Sequence, residues 1–525
     1  MAVTNTQATA PSAEPAVAST DEPRQGWLLA GWIAVGAAAA VGLVLRFWTQ
    51  SHLWLDEALS VNIARLPVGD IPEALRHDGH PPLYYWLLHA WMSVFGEGDA
   101  AVRALSGVCA LAALPLIWFA GKRLGGRTVG WLAVVLLALN PWALRYATEA
   151  RMYSLIVALA LAAYLLVTKA LEDDAMWWLV GVALVTAALV LTHYWALYLV
   201  AAAFVLLALR LRSRSTRRSA ARVLGAMAIG CLAFVPWLPS FAYQAAHTGS
   251  PWAKPMRPST ILTITANDLG GAGSEGQVVG LVLTLLVLLA LFAVARSKWH
   301  LDLDLHTVPQ VRTELSLVGL TVAFGVLAIF VTSGTYESRY AAVFVPFLLL
   351  AAAVGVTRFL SDWLRLAIVG LLVLGGLLGG YRNVTTERTQ LGAEVVPALN
   401  ERAHAGDVVV YCPDQLGPAG TRHLRPDLVT LAYPTLGPPE RMDWVDYEER
   451  NSAADPDAIA KEVLARAGDH TIWLAWAGTY RTFEGQCEEL NTAFLRARPT
   501  GQARVTDNGN EFFEHAWLFE FPPSP

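Results

Sequence analysis

Eleven apolar stretches, each near the twenty or so residues a helix needs to cross a hydrocarbon core, divide the chain between residues 27 and 381. They run over 27–47, 101–121, 128–147, 152–170, 176–192, 194–210, 222–242, 278–296, 315–333, 340–357 and 363–381. In lipid every backbone N–H and C=O must be bonded within the protein, so these stretches are expected as transmembrane helices. Composition agrees: of 525 residues, 55% are hydrophobic and only 15% charged, which excludes an ordinary soluble domain. Pro81–Phe95 is apolar too, but it is short, opens on Pro-Pro and contains His89. It is read as a helix lying in the membrane interface.

Basic loops set the expected orientation. Lys122, Arg123 and Arg127 form one basic turn, and Arg210, Arg212, Arg214, Arg217, Arg218 and Arg222 a stronger one. Arg296, Lys298 and Arg312 mark a third, Arg358 and Arg365 a fourth. With Pro81–Phe95 off the count, all four fall on the cytoplasmic side. The expectation is a multi-pass plasma-membrane protein with its N-terminus inside and its C-terminus outside. The first outer loop is 48–100. Residues 1–25, rich in Ala, Ser, Thr, Pro and Glu, read as a disordered cytoplasmic tail. The following apolar segment reads as a retained anchor, with a cleaved signal peptide as the alternative. The arginine-rich loop suits topology and anionic lipid, not nucleic acid.

After 383 the hydropathy falls. Strands are expected at 407–412, 428–432, 471–476 and 512–521, and helices at 391–404, 455–467 and 484–497. Such alternation predicts an extracytoplasmic α/β domain over 384–525. It has no glycine-rich phosphate loop. Cys412 and Cys487 lie in this region and can pair in an oxidising compartment, whereas Cys109 and Cys231 read as buried apolar residues.

The polar residues that need explaining fall on the expected outer face: Asp56, Glu57, His80, Glu149, Arg151, His193, Glu337 and Arg339. Each has a plain structural reading as well. Asp56 and Glu57 suit the first turn of a helix. Glu149 and Arg151 suit an ion pair, His193 a turn hydrogen bond, and Arg339 a snorkelling anchor. Taken together they suit group transfer from a lipid-phosphate carrier. A carboxylate can take the proton of an attacking hydroxyl, and arginine can neutralise a leaving phosphate.

Leu55-Asp-Glu57, Gly79-His-Pro-Pro-Leu-Tyr-Tyr-Trp86, Ala101-Val-Arg103, Asn140-Pro141, Glu149-Ala-Arg-Met-Tyr153, Thr192-His-Tyr194 and Ser338-Arg-Tyr340 follow one another in an ordered series. Over about residues 27–381 the chain resembles the GT-C glycosyltransferases. Within them it is similar to the protein O-mannosyltransferase-like and aminoarabinose-transferase-like group, the glycosyltransferase family 39 type. The resemblance implies a GT-C transmembrane domain over 26–383. It implies inverting transfer of a sugar, mannose first, from a polyprenyl-phosphate donor to a lipid, glycan or protein acceptor on the outer face. By it Asp56 is the base, and Glu57 binds substrate or helps hold a divalent cation, Mg or Mn, for which Asp56 and Glu57 are the candidate ligands. His80 stands where aminoarabinose transferases carry a lysine that contacts the carrier phosphate. Glu149, Arg151 and Tyr153 would line the cavity, Arg339 would contact the phosphate, and His193 and Tyr340 join the substrate-binding set. Two other functions fit such a chain: a lipid-linked-sugar transporter and a non-catalytic assembly protein. Charges gathered on one face favour the enzyme.

Overall fold

The computed structural model describes residues 22–248, 256–271, 273–332, 335–478, 480–506, 508–510 and 512–524. Most of the expected disordered tail, residues 1–21, lies outside them.

Seven helices among the described residues are long and apolar enough to cross a membrane: Gly26–Leu45, Asp99–Leu139, Tyr153–Glu172, Arg217–His247, Gly273–Phe292, Pro309–Thr332 and Asp362–Thr385. Asp99–Leu139 is two helices folded back on each other. Gly125 and Gly126 leave helical geometry, Gly126 at φ +79°. That left-handed value favours glycine. The two arms touch closely: a Cβ on Gly121 would lie 2.9 Å from the Cα of Gly130. Three shorter apolar helices, Met176–Val190, Trp195–Arg210 and Val345–Thr357, complete a bundle with room for eleven crossings.

Proline and glycine moved several expected boundaries. The stretch 128–147 stops at Leu139, because Pro141 cannot continue the ladder. Asn140 instead caps a short helix, Pro141–Ala147, its side chain accepting from the Ala143 N–H. The stretch 222–242 passes through a 3-10 turn at Leu232–Trp237, around Pro236. The stretch 278–296 ends at Phe292 and turns into an antiparallel hairpin, β1 (Ala293–Ser297) and β2 (His300–Leu303). A helix not anticipated, Pro258–Gly270, lies against Gly273–Phe292.

The loop between the first two crossings folds into three helices, Leu55–Ala64, Ile71–Asp78 and Leu83–Phe95. The last is the stretch expected at the interface. It leans on its neighbours: His89 Nδ1 lies 2.8 Å from the Ala64 carbonyl, and Trp91 donates to Ala101.

The C-terminal domain is a five-stranded sheet of order β4-β3-β5-β7-β6. Its strands are β3 (Val408–Cys412), β4 (Val429–Ala432), β5 (Ile472–Trp476), β6 (Gln502–Val505) and β7 (Trp517–Phe521). β3 runs parallel to β4 and β5; β7 runs antiparallel to β5 and β6. All residues of the inner strands β3 and β5 are buried, which is why they read as continuous apolar runs. The expected strand 512–521 begins only at Trp517, and β6 was not anticipated. Cys412 and Cys487 form a disulfide, with Cα atoms 5.6 Å apart.

The domain sits on the three-helix loop. Trp444 donates its N–H to the His77 carbonyl at 3.0 Å, Arg422 pairs with Asp99 at 2.7 Å, and Arg388 holds Thr148. The basic turns gather at the other end of the bundle. Gln310 donates to the Leu124 carbonyl and accepts from Arg358. Arg123 pairs with Glu172, and Arg222 with Asp174.

Candidate active site

Asp56 and Glu57 are the second and third residues of the helix Leu55–Ala64. Consecutive helical residues point about 100° apart, so the two carboxylates part company. Glu57 turns inward and is fully buried. Arg103 grips it with two bonds, Nε to Oε1 at 2.7 Å and Nη2 to Oε2 at 2.6 Å, and the Ala150 N–H adds a third at 2.8 Å. Paired donors of this kind suit a guanidinium fork on a carboxylate. Glu57 is thus a brace joining the first loop, the second crossing and the loop before the fourth, and its oxygens face protein.

Asp56 turns outward and lines a cavity of about 370 Å³. Its Oδ2 accepts from Arg339 Nη1 at 2.7 Å, and Arg151 Nη2 lies 3.8 Å away. Arg339 also lines the cavity and has its guanidinium 6.0 Å from the Trp54 ring and 5.9 Å from that of Tyr340. Its Nε is buried with no hydrogen-bond partner among the described residues. It therefore keeps donor capacity beyond its bond to Asp56.

Arg151 is held from behind. Its Nη1 donates to Ser60 Oγ at 2.9 Å, and Nη2 lies 3.1 Å from His80 Nε2. His80 Nδ1 in turn lies 2.9 Å from Asp78, which also accepts from the Tyr85 hydroxyl at 3.0 Å. Both contacts are satisfied when His80 carries its proton on Nδ1 and accepts at Nε2. His80 thus orients Arg151, and neither residue is among those lining the cavity with Asp56. His193 Nδ1 accepts from the Trp195 N–H at 3.1 Å; its ring lies 6.3 Å from His80, 5.9 Å from Tyr153 and 5.3 Å from Tyr340. The Tyr153 hydroxyl is buried without a hydrogen-bond partner among the described residues. So are both oxygens of Glu149, which lies 3.8 Å from Arg145. Burial pushes the Glu149 carboxyl above the usual range against the pull of Arg145.

The residues that sequence reasoning missed lie in the C-terminal domain. Gln415, Tyr480, Glu514 and His515 share the cavity with Asp56, Glu337 and Arg339. No local motif announces them, because only the docking of the domain brings them there. A second, apolar groove of about 800 Å³ lies among the helices Pro258–Gly270, Gly273–Phe292, Arg312–Thr332 and Val345–Thr357. The segment 335–344 separates the two spaces: Glu337 and Arg339 face the polar cavity, Phe344 the apolar groove. Tyr336 anchors this partition through a 2.6 Å bond to Thr265.

Glu57, as placed, does not fit a divalent cation. Arg103 and the Ala150 N–H occupy the oxygens of Glu57. Among the described residues no three His, Cys, Asp or Glu side chains converge as a ligand set.

Residues 79–239 match the family model described as dolichyl-phosphate-mannose-protein mannosyltransferase. ArnT from Cupriavidus metallidurans in the apo state is similar in structure, with a TM-score of 0.61 at 13% identity, over 96% of this chain and 100% of that one. The same protein bound to undecaprenyl phosphate aligns with a TM-score of 0.56 at 14% identity, over 95% and 99% of the two chains. No curated protein sequence matches. The chain is a polytopic membrane protein with the GT-C fold. The fold is the one ArnT has, and the match to the family model is confined to residues 79–239.

Proposed function

We propose that the protein transfers a glycosyl group, mannose, from a polyprenyl-phosphate carrier to an acceptor hydroxyl, with inversion. Transfer takes place on the outer face of the membrane, where the C-terminal domain sits. The observation that carries this reading is the Asp56–Arg339 pair on a polar cavity, one short segment away from an apolar groove. The groove suits a prenyl chain, and the structural neighbour bound to undecaprenyl phosphate supports a carrier of that kind.

Asp56 accepts the proton of the acceptor hydroxyl as its oxygen bonds to the anomeric carbon. The bond from that carbon to the phosphate oxygen breaks, and its electron pair leaves with the polyprenyl phosphate. Arg339, which already faces Asp56, neutralises the phosphate as it departs. Arg151 holds Asp56 in place, and the His80–Asp78 pair holds Arg151. The expected cation takes no part in this scheme.

Asp56→Asn should abolish transfer from polyprenyl-phosphate mannose in membranes while the protein inserts normally. Loss of a general base costs about a hundredfold or more, so retention of over about a tenth of the activity would remove Asp56 from the role. Offering aminoarabinose on the same carrier tests the sugar: faster turnover than with mannose would displace mannose from this reading.

A further inference from the structure

In the C-terminal sheet β3 is parallel to both its neighbours. The chain leaves β3 to one side to form β4, then crosses over to form β5 on the other. The carboxyl end of β3 is therefore a topological switch point, where diverging loops open a crevice suited to a ligand. Here that crevice faces the membrane domain. Gln415, after β3, and Tyr480, after β5, both line the cavity that holds Asp56 and Arg339.

Three further observations specify an occupant. Trp444 and Tyr480 give the domain's side of the cavity flat apolar surfaces. Gln415 is fixed by its Nε2 bond to Tyr447 at 3.2 Å, and its Oε1 takes no hydrogen bond from a described residue. Glu514 is 3% exposed, and its carboxyl has no well-formed hydrogen bond, only the weak pull of Thr389 and the Leu55 backbone beside it. Such a group is costly to bury and gains a partner when a hydroxyl arrives. Burial, with the charge of Asp56 adding to it, raises the Glu514 carboxyl to about 8, so near neutral pH it can both donate and accept. The edge strands β4 and β6 contribute nothing to the lining, so an extended peptide would find no strand to pair with.

We propose that this crevice is the acceptor subsite, and that it takes a neutral saccharide stacked on Trp444 and Tyr480 and hydrogen-bonded by Gln415 and Glu514. The assignment rests on the inverting transfer proposed above. Inversion requires attack from the face opposite the leaving phosphate. The phosphate belongs on the 335–344 side with Arg339, which leaves the C-terminal wall to the acceptor.

The test uses the full chain in lipid nanodiscs and two separate titrations. Saturation-transfer NMR follows the methyl glycosides of mannose, glucose, galactose and arabinose, and radiolabelled undecaprenyl phosphate reports the carrier site. At least one glycoside should bind the wild type and bind about tenfold more weakly to Glu514→Ala and Gln415→Ala. Glu514→Gln, which keeps a neutral hydrogen-bonding group, should stay within about threefold of wild type. Carrier affinity should hold in these variants and fall in Arg339→Ala. Should Glu514→Ala fail to fold, Gln415→Ala decides. The assignment is overturned if no glycoside binds, if a serine-rich peptide binds there instead, or if the two alanine variants weaken the carrier and not the glycoside. A wild type that ignores undecaprenyl phosphate would count against the transferase reading alone, since the glycoside titration still judges the subsite.

Discussion

Asp56 and Glu57 show how far one position along a helix can separate two identical chemistries. The sequence marks the pair, and its neighbours in the outer loop, as unusual. It does not show which carboxylate faces the cavity, because that depends on Arg103, 46 positions away, closing on Glu57. The two should respond differently to loss of charge. Glu57→Gln leaves Arg103 buried without its counter-charge, and breaking such a pair costs about 3–5 kcal/mol. Its melting temperature in detergent should drop well below that of Asp56→Asn, which should stay near wild type; equal values would show that Glu57 is no brace. Arg339 separates donor handling from stability in the same way. Arg339→Ala should raise the KM for the polyprenyl-phosphate donor about ten- to a hundredfold, from loss of about 1.5–3 kcal/mol of charge-assisted bonding. Arg339→Lys should fall between, because an ammonium cannot bridge two phosphate oxygens as a guanidinium does. An unchanged KM with a lowered melting temperature would make Arg339 an anchor only.

At the scale of elements, the crossings and the buried strands were legible because apolar runs of characteristic length admit few structures. The breaks at Asn140-Pro141 and Gly125-Gly126 were present in the sequence as residue types, yet their effect on a long apolar run needed the packed bundle to appear. The short edge strand β6 gave no signal, since it has four residues and is mostly exposed. One element carries a pH signature. Asp414, just beyond β3, accepts from the Tyr447 hydroxyl and is pushed up to about 7 by burial. In the unfolded chain such a carboxyl loses its proton near 3.9. Between the two values the folded protein holds a proton that the unfolded chain has released, so stability falls as pH rises through that window and levels off above it. Asp414→Asn removes this dependence. Its gain in melting temperature over wild type should widen from pH 5 to pH 8, and a constant difference would refute the assignment.

Across the whole molecule the basic turns and the C-terminal domain occupy opposite ends of the bundle. Positive loops stay on the cytoplasmic side during insertion. Alkaline phosphatase fused after residue 525 should therefore be active in cells, and green fluorescent protein placed in the 211–216 turn should fluoresce; the reverse pattern would invert the proposed topology. None of the C-terminal wall could be read in advance, because its residues meet Asp56 only through a docking interface built from side chains far apart in sequence. That interface has an evolutionary consequence. The loops after β3 and β5 bury Leu416 and Phe483 in the core, while Gln415 and Tyr480 from the same loops line the cavity. The lining side chains can change while their buried neighbours stay, leaving the grip of Arg103 on Glu57 intact. A lineage could thus inherit one membrane engine and retarget it by rewriting a few strand-end loops, the way an antibody keeps its framework and changes its tips.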